Sequence, residues 1–301
     1  MMTPETITAA AAGTWKLGDL TVNRMGFGAM RLTGSAAFDL GTPSNRERSI
    51  SVLRRALDLG VNHIDTAAFY FSPLRSANEL INQALAPYPD DLVITTKVGP
   101  GRDPSGGWLP PATPEQLRGQ VEENLRQLGR DHLDVVNLRI VGTDSIAERF
   151  GALAELRDAG LIRHLGISNV KPEHLAEAQA IAPVVCVQNR YGVGAPPEDH
   201  ELLRVCGEQG VAFVPFFAIA GAGREVGASD TDSTEVLAVA RAHRATVAQV
   251  RLAWTLQQGP HVLAIPGTGN PDHLVANVAA GALRLSDDEL SRLSSLGQGG
   301  E

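Results

Sequence analysis

Short apolar runs rich in β-branched residues alternate along this chain with longer stretches of helical periodicity, and the alternation repeats eight times. The strand-like runs fall at 24–29, 61–66, 92–98, 133–140, 162–169, 184–189, 211–217 and 261–266. Helical patterns follow them at 45–59, 77–85, 114–128, 145–159, 171–181, 197–209, 233–243 and 272–283. The runs are mostly apolar, not alternating, as expected for parallel strands covered by helices. Boundary chemistry agrees. Thr113 precedes Pro114 with Glu115 close behind, and Gly60, Gly160 and Gly210 stand just before the next strand, where helix C-terminal glycines belong. Length alone suggests two ordinary domains, but eight βα units in 301 residues predict one α/β fold, a single (β/α)8 TIM barrel.

Some segments are surplus to eight repeats. Residues 15–17 and 20–22 flank Gly18-Asp19, which predicts an N-terminal hairpin over the barrel bottom. Extra C-terminal helices are expected at 247–258, ahead of the eighth strand, and at 287–296, where Ser286 and Glu289 have capping-box spacing. The expected organisation is a frayed, Ala-rich N-terminus at 1–14, the barrel at 15–297 and a Gly-rich flexible tail at 298–301. A doubly wound sheet would need a Gly-rich phosphate loop after its first strand, and 26–31 lacks the third glycine.

Composition narrows the function classes. With 43% hydrophobic and 20% charged residues the chain is of the globular type, not the disordered one. No run of about 18 apolar residues is present, so no membrane span is expected. The first fifteen residues carry no Lys or Arg, unlike a secretory signal. A net charge of -8 with scattered basic residues gives no electrostatic reason to expect nucleic acid or an anionic membrane as partner. Cys186 and Cys206 are the only cysteines, too few for a disulfide framework and without metal-ligand spacing; a cytoplasmic location and no metal are the expectation.

Reacting groups in such a barrel sit at the C-terminal strand ends. The second strand runs into Asp65, with Tyr70 on the loop above it, and the third strand contains Lys97. Only three lysines stand against 23 arginines, and this one lies in a run that should be buried. An unpaired buried cation is costly, so Lys97 needs an anion, and Asp65 on the adjacent strand is the nearest candidate. A cation beside Tyr70 would draw the phenol pKa below its usual value of about 10 and make it a useful general acid. Taken singly, Tyr70 reads as packing and Asp65 as a cap; together with Lys97 they read as a functional triad. A sugar-processing barrel with paired carboxylates is disfavoured, since only Asp65 can be placed at a strand end with a suitable partner.

Gly60-Val61-Asn62-His63-Ile64-Asp65-Thr66-Ala67 with Tyr70, Leu165-Gly166-Ile167-Ser168-Asn169, Gln188-Asn189 and Ile265-Pro266-Gly267-Thr268 resemble the signatures of the aldo-keto reductase family. The resemblance runs from about 17 to 296. It implies a (β/α)8 barrel that reduces aldehydes or ketones with NADPH, the carbonyl compound being a small molecule. By motif position, Tyr70 would donate the proton, tuned by Asp65 and Lys97. Ser168, Asn169 and Gln188 would hold the nicotinamide carboxamide, Phe216 would stack on the ring, and Met30 would lie near the cofactor. In the eighth unit, Gly267, Thr268, His273 and Asn277 match the stretch that takes the adenosine end. There the family typically has a lysine near the start and an arginine at the position of His273, so NADH stays open beside NADPH. Loop 220–224 falls where relatives fold over the pyrophosphate, or is a plain surface loop. Trp108, on the loop 99–113, is either a wall of the substrate pocket or a loop anchor.

One departure stands out. The family usually has histidine where this chain has Arg139. Arginine is a permanent cation that cannot relay a proton; it would hold a carbonyl oxygen or an anionic substituent of the substrate, or pair structurally with Asp65. The segments 61–66, 133–139, 185–189 and 214–217 are most similar to those of bacterial pyridoxal reductases. Pyridoxal carries an aldehyde beside an ionisable phenolic oxygen, which Arg139 would meet while Tyr70 addresses the aldehyde. The alternative function is a cofactor-binding regulatory or redox-sensing subunit with little activity of its own, against which the retained Tyr70, Asp65 and Lys97 weigh.

Overall fold

The computed structural model describes residues 7–34, 42–219 and 233–297. Strands β1 (Thr14–Leu17) and β2 (Leu20–Asn23) form the predicted antiparallel hairpin, with Leu17 opposite Leu20 across the Gly18-Asp19 turn. The barrel wall begins at β3 (Phe27–Gly28). Helix α1 (Arg46–Asp58), whose cap Asn45 accepts the Arg48 N–H at 2.9 Å, leads to β4 (His63–Asp65). A small hairpin absent from the sequence expectation, β5 (Phe71–Ser72) and β6 (Arg75–Ser76), follows directly after Tyr70 and runs into α2 (Ala77–Leu85). Then come β7 (Val93–Val98), α3 (Pro114–Leu128), β8 (Leu133–Arg139), α4 (Ala147–Asp158), β9 (Ile162–Ser168) and α5 (Pro172–Gln179). The chain continues through β10 (Val184–Gln188), α6 (Pro197–Glu208), β11 (Ala212–Phe213), α7 (Thr234–His243), α8 (Val247–Leu256), α9 (Pro271–Ala279) and α10 (Asp287–Ser294).

Seven strands pair in the order β3-β4-β7-β8-β9-β10-β11, every pair parallel. The eighth position is filled by 262–264, which bridges Phe213 through Val262 and Met25 through Ala264 and closes the (β/α)8 barrel. The wall is thinner there than the sequence runs 24–29, 211–217 and 261–266 suggest. Pro215 and Pro266 have no N–H to give to a ladder, so the pairing breaks into single bridges and separate bonds such as Gly26 N–H to Ala264 O at 2.8 Å.

Helices cover the outside, most of them through one apolar face, while α8 is buried over most of its surface at Val250 and 252–256. In α3 the buried positions are Leu117, Val121, Asn124 and Leu128, the three- and four-residue spacing of one face. The capping box at Ser286 forms as expected, with the Ser286 N–H donating to Glu289 at 2.8 Å. At Thr113 the side-chain oxygen of Gln116 accepts the Thr113 N–H at 3.0 Å. Inside the barrel, side chains alternate with the strand period. Along β7 the inward set is Val93, Thr95 and Lys97, from bottom to top.

Leu17 and Val22 of the hairpin are fully buried and close the bottom, packed with Val93, Val135, Cys186, Ala212, Val214 and Leu263. Truncating Leu17 would empty this plug. Leu17→Ala is expected to lower stability by about 2–5 kcal/mol in urea unfolding, with kcat unchanged because the plug lies at the end of the barrel opposite Lys97.

The Ala-rich N-terminal segment is a correction. Rather than fraying, Ala9–Ala12 forms a 3-10 turn with Ala9 and Ala12 buried. Small side chains let it lie against the turn Ala280–Ala282, where Ala12 Cβ is 3.0 Å from the position a Cβ on Gly281 would take. Its carbonyls are received by two guanidinium groups, Arg24 on Ala12 O at 3.0 Å and Arg284 on Ala11 O at 3.0 Å. Residues 1–6, the tail 298–301 and the Gly-rich loop 220–224 lie outside the described residues.

Candidate active site

The inward side chains at the C-terminal strand ends are Asp65 from β4, Lys97 from β7, Arg139 from β8, Ser168 from β9 and Gln188 from β10. Lys97 Nζ lies 2.6 Å from Asp65 Oδ1 and donates to Thr66 O at 2.9 Å, with both side chains almost wholly buried. The second Asp65 oxygen accepts the Gln188 side-chain amide at 2.8 Å. The carboxylate is therefore committed at both oxygens, and the structural pairing of Arg139 with Asp65 considered from the sequence does not form. One layer below, His63 meets Thr95 Oγ1 at 3.0 Å, and burial pushes its imidazole down to about 4, so it adds no charge beneath the pair.

Tyr70 stands above Lys97, whose ammonium is 5.0 Å from the ring centroid. The sequence expectation of a lowered phenol pKa is overturned. Burial is the largest influence and raises it; the Lys97 charge, and more weakly that of Arg139, only partly oppose that rise. A phenol that keeps its proton at neutral pH is a donor in waiting. Burial also disfavours the Lys97 ammonium, but the Asp65 carboxylate, followed by Tyr70, outweighs it and holds the lysine above its ordinary value.

These groups form one wall of a cavity of about 570 Å³ that also takes in Met30, Arg139, Phe216, Gly267, Thr268, His273 and Asn277. The cavity thus joins most of the candidates read from the sequence. Arg139 lies with its guanidinium 5.3 Å from the Phe216 ring centroid, half-buried. Among the described residues no hydrogen bond or ion pair of its guanidinium is present. Three candidates stand apart from the lining. Ser168 is fully buried at its strand end, beside Arg139 and Gln188 in register. Asn169 gives its side-chain amide to Ile140 O at 2.9 Å and adopts a φ of 61°. Trp108 is half-exposed behind the wall: its ring packs edge-on to Phe69 at 5.7 Å, and Phe69 is the residue that faces the cavity.

The sequence reading missed Gly28, Phe69, Phe217, Thr246 and Ala248, which also line the cavity. Thr246 caps α8, the helix recognised only as surplus, so the signal was present but its position was not. Phe217 is held at a φ of 64°, a backbone state no composition rule announces. Gly28 and Gly267 bring the first and eighth units into contact: a Cβ on Gly28 would lie 2.6 Å from Ile265 O, and one on Gly267 2.6 Å from Gly28 O.

Among the described residues no cluster of three or more His, Cys, Asp or Glu side chains could hold a metal, and no helix is long and apolar enough to cross a membrane. Burial pushes both the Cys186 and Cys206 thiols up to about 12, so neither is a nucleophile at neutral pH.

The chain is 44% identical over 293 residues to a pyridoxine 4-dehydrogenase of Escherichia coli, a match covering 95% of this chain and 99% of that one. It is 30% identical to a methylglyoxal reductase of the same organism, over 83% of this chain and 84% of the other. Among solved structures, an aldo/keto reductase from Klebsiella pneumoniae in complex with NADP and acetate superposes with a TM-score of 0.75 at 29% identity, covering 92% of each chain. The sequence model of the aldo/keto reductase family matches residues 24–298, which spans the barrel wall from its first strand to beyond its last helix. On that match, and on relatives similar over nearly their whole length, the chain belongs to the aldo/keto reductase family.

Proposed function

We propose that this enzyme reduces small aldehydes with NADPH, NADH being the weaker alternative, and that its preferred substrates carry an anionic oxygen beside the aldehyde, as pyridoxal does. The observation that carries the reading is the protonated Tyr70 phenol held over the buried Lys97–Asp65 pair at the cavity wall. The bound complex of the Klebsiella relative and the substrate named for the Escherichia coli relative support it.

The residues present fit a nicotinamide dinucleotide. Ser168 Oγ and Gln188 Oε1 are buried and, among the described residues, without a hydrogen-bond partner, acceptors suited to a carboxamide N–H. Phe216 offers a ring face. The first turn of α9, capped by Asn270 and preceded by Thr268, offers amide N–H groups and a helix N-terminus to a phosphate, with His273 and Asn277 nearby on the same helix. Met30 lines the same cavity. Asn169 spends one amide N–H on Ile140 O and keeps its side-chain oxygen and second N–H for the set.

When bound, the reduced cofactor supplies the hydride for the carbonyl carbon. Tyr70 gives its proton to the carbonyl oxygen as negative charge develops there. Lys97 and Arg139 make the resulting phenolate less costly, and Asp65, anchored by Gln188, keeps Lys97 charged and in place. Arg139, whose guanidinium is unpaired among the described residues at the cavity wall, receives the anionic oxygen beside the aldehyde.

Following nicotinamide absorbance with a panel of aldehydes tests the substrate class. Pyridoxal is expected to exceed unsubstituted benzaldehyde in kcat/KM. In Arg139→His that ratio is expected to fall by roughly 10- to 150-fold, the worth of a charge-assisted hydrogen bond of about 1.5–3 kcal/mol. An unchanged ratio would reject the role given to Arg139.

A further inference from the structure

We propose that Arg102 is a positioning residue for the Tyr70 phenol: it ties the loop across the barrel top to the two backbone carbonyls flanking the tyrosine. The inference rests on the reductase reading and extends it to a residue outside the cavity. Arg102 Nη1 donates to Phe69 O at 3.3 Å and to Phe71 O at 3.2 Å, so one nitrogen grips the chain on either side of Tyr70. Its guanidinium carbon lies 4.5 Å from the Phe71 ring centroid and 5.8 Å from that of Trp108. Only 9% of Arg102 is exposed, and a buried guanidinium is costly to keep unless its geometry is used.

Both ends of this grip are stiff. On the Arg102 side, Nε donates to Gly106 O at 3.1 Å, and the segment 102–108 folds back on itself through a bridge between Arg102 and Trp108. Asp103 Oδ1 accepts the Ser105 N–H at 2.8 Å, the Ser105 hydroxyl at 2.6 Å and the Gly107 N–H at 3.0 Å, which fixes the turn that presents Arg102. On the other side, the Tyr70 N–H donates to Ala67 O at 3.0 Å and Tyr70 O accepts the Ala77 N–H at 2.9 Å. Arg102 takes the neighbouring carbonyls that these bonds leave over.

The consequence for chemistry follows from leverage. The phenol reaches Lys97 from a loop, not from a strand, and β5–β6 immediately after it is only a two-residue ladder. Without Arg102 the carbonyls of Phe69 and Phe71 would seek other donors and the ring would drift from the ammonium beneath it. A lysine ammonium can offer N–H groups to both carbonyls, but it loses the Nε bond to Gly106 O and the planar group stacked on Phe71, so it holds the grip less firmly. The same contacts seat Trp108 behind Phe69, which gives the half-exposed tryptophan a task.

The test compares Arg102→Met and Arg102→Lys with the wild type, measuring kcat, KM, NADPH affinity by fluorescence titration, and the primary isotope effect with NADPH deuterated at the transferred position. In Arg102→Met, kcat is expected to fall about 10- to 100-fold, the scale of a displacement near 1 Å. NADPH affinity should be unchanged and the isotope effect larger, since the chemical step becomes limiting. Arg102→Lys should fall between the two. Wild-type kcat and isotope effect in a folded Arg102→Met protein, with only a lower melting temperature, would overturn the proposal. If that variant does not fold, Arg102→Lys decides: unchanged kcat overturns it, reduced kcat with unchanged NADPH affinity supports it. A wild type that turns over no carbonyl would reject the reductase reading and this proposal with it, whereas an active wild type matched by both variants rejects the proposal alone.

Discussion

Replacing Tyr70 by phenylalanine is expected to lower kcat by about 100- to 10 000-fold, the usual worth of a placed general acid, while NADPH affinity stays at the wild-type level. The ring keeps its edge contact with Phe69 and its place over Lys97, so only the proton is lost. The pH profile provides a second signature. Burial raises the Tyr70 pKa and the lysine charge only partly offsets this, so the donor stays protonated through neutral pH. It is lost only as pH rises past the ordinary tyrosine value of about 10. Wild-type kcat should therefore be flat across neutrality with an alkaline decline, and Tyr70→Phe should lack that decline. A phenol pKa drawn below about 10, the expectation from charge alone, would instead start the decline at lower pH than in a free tyrosine.

The largest effect on stability should come from breaking the pair beneath the tyrosine. Lys97→Met leaves the Asp65 carboxylate buried with only the Gln188 amide as partner, and Asp65→Asn leaves a buried ammonium without its anion. Each single change is expected to cost about 3–5 kcal/mol in urea unfolding. The double variant Asp65→Asn/Lys97→Met removes both charges and should recover most of that loss, since a buried ion pair contributes little net stability over a neutral replacement. Its activity should not recover, because nothing then eases the charge left on Tyr70. A double variant as active as the wild type would show that the pair serves packing alone.

Much of this was legible in the residues, for identifiable reasons. Lysine inside an apolar strand is an anomaly that only a buried anion resolves, and the chain offers Asp65 on the neighbouring strand; the 2.6 Å contact is the outcome. Barrel order and the bottom hairpin followed from period and turn chemistry. Other features rest on balances that a sequence does not display. The direction of the Tyr70 shift depends on how far burial outweighs a nearby cation, and burial is a tertiary quantity. Gln188 was assigned to the cofactor by motif, yet one amide N–H serves Asp65, while among the described residues its oxygen has no partner. Trp108 could be placed over the barrel top but not in front of or behind Phe69. The Ala-rich start looked too featureless to hold a place, because alanine's value here is smallness against Gly281 and the carbonyls it offers to Arg24 and Arg284. The role of Arg102 was invisible because its partners are backbone carbonyls, which carry no residue identity.

The central claim is that this cavity reduces a carbonyl with the proton of Tyr70. A single-turnover experiment tests it most directly: enzyme loaded with one equivalent of NADPH is mixed with excess pyridoxal, and nicotinamide absorbance and alcohol product are followed together. The wild type should form one pyridoxine for each NADPH oxidised, and Tyr70→Phe, equally loaded with NADPH, should form almost none on the same timescale. NADPH that binds but is oxidised by no carbonyl, or a Tyr70→Phe protein that turns over at the wild-type rate, would contradict the account.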